Sequence, residues 1–103
     1  MGDISSPDFH ESEDLLKITG DLDSSALEPF GEHLQSFVAK ATHDFEIDIT
    51  EIRYVSSSFI GYLARALVDA KAKGCSVRIC ANSRVARLLE LAGIDKLASI
   101  MLH

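Results

Sequence analysis

The chain has no tryptophan, two prolines and two cysteines, and no apolar run near the ~20 residues that a membrane-spanning helix requires. So few cysteines exclude a disulfide-stapled scaffold. Cys75 and Cys80 fall in a predicted strand from Cys75 to Cys80. They point to opposite faces and read as separate free thiols in a reducing compartment, expected to be the cytoplasm. His10, His33, His43 and His103 are scattered without ligand spacing, which argues against a metal site. Positive charge is also scarce: 10 Lys and Arg face 16 Asp and Glu, for a formal net charge of −6. Nucleic acid and membrane surfaces both demand a positive face, so neither is expected as the main partner. An acidic module suits a basic patch on another protein. Residues 1–13 are polar and acidic, with neither the basic nor the apolar region of a signal peptide.

What remains is ordinary globular composition: 103 residues, 47% hydrophobic and 25% charged. That length suits one domain, able to bury roughly 60–70% of the surface its unfolded form exposes. Leu15 to Thr19 reads as a strand ending at Gly20, and an N-terminal strand near Phe9 is expected to pair with it antiparallel. Residues 1–13 thus form an N-terminal segment able to supply an edge strand, ahead of a domain over 14–103. Ser25 and Glu28 have capping-box spacing, with Pro29 shifting the helix start by a residue or two. Phe30, Leu34, Phe37, Val38 and Ala41 then mark an amphipathic helix.

Phe45, Ile47 and Ile49 alternate with Glu46, Asp48 and Thr50, the pattern of a strand with one buried face. After Glu51 to Val55 and three serines, the apolar residues Phe59, Ile60, Leu63, Ala66, Leu67 and Ala70 define a second helix. Lys71 and Lys73 complement the dipole at its end, and Gly74 stops it. A strand around Val77 and Ile79 follows. Asn82 or Ser83 then caps a third helix with Val85, Leu88, Leu89 and Ala92 on its apolar stripe and Gly93 at its end. Ile94 to Leu102 reads as a short turn and an edge strand. The alternation of strands and helices predicts an α/β fold with a mixed, mostly parallel sheet of 4–5 strands and about 4 helices.

Val55-Ser56-Ser57-Ser58-Phe59-Ile60-Gly61 is the most unusual local feature. Serine is a favoured helix N-cap, which accounts for one of the three, or two. The functional alternative is a phosphate-accepting site. A phosphoserine carries about −1.5 to −2 charge, which free amides and the dipole at a helix N-terminus tolerate. Asp21, Asp23 and Ser24 follow the first long strand, and the serines follow the next. Parallel neighbours would bring both loops to one sheet edge as a single recognition surface. Asp23 has helix capping as its simpler explanation. A nucleophile elbow and a phosphate-binding glycine loop are both absent, and Asp48, Glu51 and Asp69 form no telling arrangement, so no enzyme activity is expected. A small hydrolase using one of Ser56 to Ser58 is the competing class.

Ile18-Thr19-Gly20-Asp21-Leu22-Asp23 resembles the "L-x-G-x-L-D" opening of STAS domains, the anti-sigma-factor antagonists and their relatives. Ile47-Asp48-Ile49-Thr50 through Tyr54-Val55 resembles that family's central strand and its approach to a "D-S-S-G" loop. The stretch from Gly74 to Ser83, and Val85 to Leu97, resemble later family segments, so the likeness runs from about Leu15 to Leu102. It implies the STAS fold and a binding protein without a cofactor, in a bacterial signal-transduction pathway that regulates transcription. The implied partners are an anti-sigma factor that is a serine kinase of the GHKL ATPase type, bound until the antagonist is phosphorylated, and a metal-dependent serine phosphatase that reverses the modification. ATP and metal belong to those partners. The loop places the acceptor at Ser57, with Ser56 and Ser58 as alternates, and the partner-binding surface at Asp21, Asp23, Ser24, Ser56, Ser57, Ser58 and Phe59. No nucleic acid or membrane insertion is expected, and the chain should be a monomer or weak dimer. Ser56 stands where the family has aspartate, and Phe59 where it has glycine; Phe59 is either core or an exposed anchor. Divergent relatives act instead as non-switching binding subunits or scaffolds of transporters or stress-signalling assemblies.

Overall fold

The computed structural model describes residues 8–20, 22 and 27–102. Five strands form one sheet in the order β1-β2-β3-β4-β5: Asp8–Glu11, Leu15–Thr19, Phe45–Asp48, Val77–Ala81 and Ser99–Leu102. β1 runs antiparallel to β2, with Phe9 opposite Ile18, as the sequence suggests; the remaining neighbours are parallel. The helices are α1 (Leu27–Lys40), α2 (Ser57–Ala72) and α3 (Ser83–Leu91), with one 3-10 turn at Ile94–Lys96. Three α-helices stand among the described residues where about four were expected; the stretch read as a turn before β5 is the 3-10 turn.

Strand order equals chain order from β2 to β5, so right-handed crossovers place successive helices on the same side of the sheet. Register and burial agree. Leu16, Ile47 and Ile79 lie side by side across three strands, and all are fully buried under the helices. The residues between them form the opposite face, which is polar. There Arg78 pairs with Glu46 at 3.3 Å, and the Cys80 thiol donates to Glu46 Oε2 at 3.2 Å. Burial and that carboxylate push the thiol up to about 11, so the thiolate is disfavoured. Cys75 and Cys80 are both free.

Several local expectations change. Cys75 does not belong to β4. Its amide donates to Ala70 O and the Gly74 amide to Lys71 O, with Gly74 at φ +83°, so this glycine and Cys75 close α2 in a Schellman motif. Lys73 serves a different helix from the one expected. Its Nζ donates to Val38 O at 2.7 Å and Ala39 O at 2.9 Å, placing a cation on the last carbonyls of α1. On α3 the buried stripe is Val85, Ala86 and Leu89, while Leu88 and Ala92 are exposed. Pro29 sits in the first turn of α1, where a missing amide hydrogen costs nothing; the proposed Ser25 cap lies outside the described residues. Among the described residues no helix is long and apolar enough to cross a membrane.

Candidate functional site

The segment from β3 to α2 is fixed at nearly every step. Asp48 accepts from the Thr50 amide at 3.0 Å and the Thr50 hydroxyl at 2.8 Å, turning the chain at the strand end. The Ile52 amide donates to Ile49 O at 3.0 Å. Asn82, at the end of β4, holds the loop from outside. Its Nδ2 donates to Thr50 O at 3.3 Å and Ile52 O at 2.8 Å, while its Oδ1 accepts from the Val85 amide at 3.0 Å. One side chain therefore caps α3 and pins the loop that leads to α2. Ile52 and Val55 anchor that loop in the core, and Arg53 and Tyr54 project outward.

The three serines then divide by role. Ser56 is the N-cap of α2: its Oγ accepts from the Phe59 amide at 3.1 Å, and its carbonyl accepts from the Ile60 amide. Aspartate is an equally good cap, so serine at this position preserves the helix start and removes only the charge. Ser57 and Ser58 occupy the first helical positions and are exposed. Their amides are among those that a helix leaves without intrahelical partners. The first turn of α2 contains no acidic residue, so a phosphate on Ser57 would bring the first negative charge to that turn.

Phe59 is 0% exposed and stacks on Phe30 of α1, with ring centroids 4.8 Å apart and planes 9° from parallel. It is therefore corrected from a partner-contacting residue to a core residue. Tyr62, one turn on, meets Phe30 edge-on at 6.4 Å and lies over Gly31. A Cβ at Gly31 would stand 2.5 Å from the Tyr62 ring, so the glycine is what lets the ring settle on α1. Sequence reasoning missed Gly31, Tyr62 and the loop-holding role of Asn82. A glycine inside the predicted first helix was the available signal for the first of these.

β2 and β3 are parallel, so their C-terminal ends lie at one sheet edge, and Leu22, just beyond β2, is buried. Asp21, Asp23 and Ser24 lie outside the described residues. Beside the serines an open groove of about 600 Å³ runs between α1 and α2, lined by Ser58, Gly61, Tyr62 and Arg65 on one side and Glu28, Glu32 and Gln35 on the other.

A five-stranded α/β layer with three helices is the architecture of an STAS domain. The family model described as "Mlab, STAS domain" matches residues 5–102, and the chain belongs to that family. Solved structures share the fold at low identity. A protein of Thermotoga maritima described as an anti-sigma factor antagonist superposes with a TM-score of 0.75 at 15% identity, over 94% of this chain and 86% of that one. An anti-sigma factor antagonist from Mycobacterium paratuberculosis gives 0.76 at 15% identity, over 92% and 83%. Likeness at this identity establishes the fold.

Proposed function

We propose that this chain is an anti-sigma-factor-antagonist-like binding module, and that Ser57 is its control point. The carrying observation is the division of labour at the start of α2. Ser56 and Phe59 are engaged inward, while Ser57 is exposed on a turn free of acidic side chains. A phosphate there changes the surface that a partner meets and leaves the cap and the aromatic stack in place. The proposed partner is an anti-sigma factor that is also a serine kinase of the GHKL ATPase type, bound while Ser57 is free and released once it is phosphorylated. A metal-dependent serine phosphatase would reset the module. The shared fold with the antagonists of Thermotoga and Mycobacterium supports this assignment. A hydrolytic role for Ser56 fits less well, because its hydroxyl is already engaged in capping.

Peptide mapping by mass spectrometry on the protein isolated from its native cell tests the switch. A single phosphate on the peptide holding Ser57 is the expected result. A second reading keeps the same surface without the switch, as a permanently bound subunit or scaffold. The observation favouring it is Ser56 itself, which caps the helix without the acidic charge found beside the family's acceptor. Protein free of phosphate under all growth conditions would establish that reading and remove the first.

A further inference from the structure

The loop between β3 and α2 holds one aromatic ring out of the structure. Tyr54 is 71% exposed, while the apolar residues that flank Arg53-Tyr54, Ile52 and Val55, are 1% and 8% exposed. The chain's other tyrosine, Tyr62, rests on Gly31 and against Phe30. Among the described residues Tyr54 stacks on no other ring, so it gives the fold little of the ~150–250 Å² that an aromatic side chain can bury. Arg53 beside it is exposed as well. The acids of this segment are engaged elsewhere: Asp48 accepts from Thr50, and Glu51 pairs with Lys17 at 3.3 Å. Among the described residues Arg53 makes no ion pair.

The backbone under this pair is held on both sides. Before it, the Ile52 amide donates to Ile49 O at 3.0 Å, and Asn82 Nδ2 donates to Thr50 O at 3.3 Å and Ile52 O at 2.8 Å. After it, Val55 is buried and Ser56 caps α2. A side chain on a fixed loop loses little freedom when it is bound, and tyrosine and arginine are the residue types enriched where binding energy concentrates. Position adds a second observation. Tyr54 precedes Ser57 by three residues, so their Cα atoms lie at most about 11 Å apart. An interface of standard size covers about 800 Å² on each partner, a patch that reaches about 16 Å from its centre. A patch centred on Ser57 therefore contains Tyr54.

We propose that Tyr54 is the anchor of the protein that covers Ser57. Its ring enters an apolar pocket of that partner, Arg53 faces a carboxylate at the pocket's rim, and Asn82 is the positioning residue that holds the loop for both. The proposal rests on the reading that a partner covers Ser57, and adds the side chains that carry the affinity. A second copy of this chain is disfavoured: the grooves between α1 and α2 are open and carry Glu28, Glu32, Arg65 and Asp69, so they offer the ring no apolar pocket. An anionic membrane is disfavoured by the overall charge of −6.

The probe is the protein that co-purifies with wild type from the native cell, identified by mass spectrometry, isolated, and titrated calorimetrically against the full chain and its variants. Tyr54→Ala should weaken binding about thirtyfold or more and Tyr54→Phe by no more than about threefold, both with the melting temperature of wild type. Arg53→Glu should weaken binding about tenfold or more, and Arg53→Lys by no more than about threefold. Asn82→Asp keeps an oxygen to cap α3 and loses the donors to Thr50 O and Ile52 O. It should weaken binding about tenfold in wild type and hardly at all in the Tyr54→Ala background, a coupling that a purely structural role does not produce. Fluorotyrosine labelling gives one ¹⁹F signal for each of the two tyrosines, and the signal that Tyr54→Phe removes should move in the complex. Unchanged binding by Tyr54→Ala or Arg53→Glu, a Tyr54 signal that stays at its free position, independent effects of Asn82→Asp and Tyr54→Ala, or binding only to a second copy or to anionic vesicles would each overturn it. If Tyr54→Ala binds as wild type while Ser57→Asp still blocks the same partner, the anchor falls and the switch stands. If Tyr54→Ala loses binding and the Ser57 variants bind alike, the reverse holds. If no protein co-purifies, both fall.

Discussion

The two flanks of α2 are built to opposite standards. Toward α1 the contact is aromatic and closely packed: Phe59 on Phe30, Tyr62 on Gly31, and Lys73 on the last carbonyls of α1. Toward α3 it is loose and leaves Val68, Leu88 and Leu91 in solvent. Each of the two packed helices carries one glycine, Gly31 on α1 and Gly61 on α2. Gly31 is required by the ring that lies on it, and Gly61 is required by nothing within the described residues. The difference separates what holds the domain together from what is available to another molecule.

That contrast can be broken by substitution. The largest effect is expected for Phe59→Ala, which removes a fully buried ring and should cost about 3–5 kcal/mol in urea unfolding. Gly31→Ala should also destabilise. Displacing the Tyr62 ring costs about 1–3 kcal/mol, which exceeds the ~1 kcal/mol that alanine gains over glycine in a helix. Ser56→Ala should lose about 1 kcal/mol through the missing cap, and Ser56→Asp should retain it. Gly61→Ala should move the other way, raising stability by up to about 1 kcal/mol. Val68→Ala should change stability by no more than about 0.5 kcal/mol, as expected of a surface position. Opposite signs for the two glycines in parallel melts would sharpen the comparison; equal signs would break it.

Much of this fold was legible before any coordinates. Alternation placed Phe45, Ile47 and Ile49 in the core, and helical spacing did the same for Leu63, Ala66, Leu67 and Ala70. Gly74 and Gly93 end helices at positive φ where the pattern put them. The misreadings share one cause. Leu88 and Ala92 fit an apolar stripe by spacing, but spacing cannot tell whether a neighbour covers that stripe, and α3 is covered only along Val85, Ala86 and Leu89. Lys73 is placed correctly for its own helix dipole, yet α1 offers its terminal carbonyls within reach. Asn82 was recognisable as a cap, while its grip on Thr50 and Ile52 depends on β3 and β4 lying side by side. At the candidate site the serine run was visible. Which serine faces inward required the cap geometry, and Phe59 could be assigned to the core only once Phe30 was seen beneath it.

The account depends most directly on whether charge at Ser57 alters binding and nothing else. The decisive measurement is calorimetric titration of the native partner with wild type, Ser57→Ala and Ser57→Asp, each paired with a urea melt of the same preparation. Ser57→Asp should lose binding by about tenfold or more while its unfolding free energy stays within about 0.5 kcal/mol of wild type, and Ser57→Ala should bind as wild type does. Equal binding by all three proteins, or loss of binding by Ser57→Asp only together with loss of the fold, would contradict it.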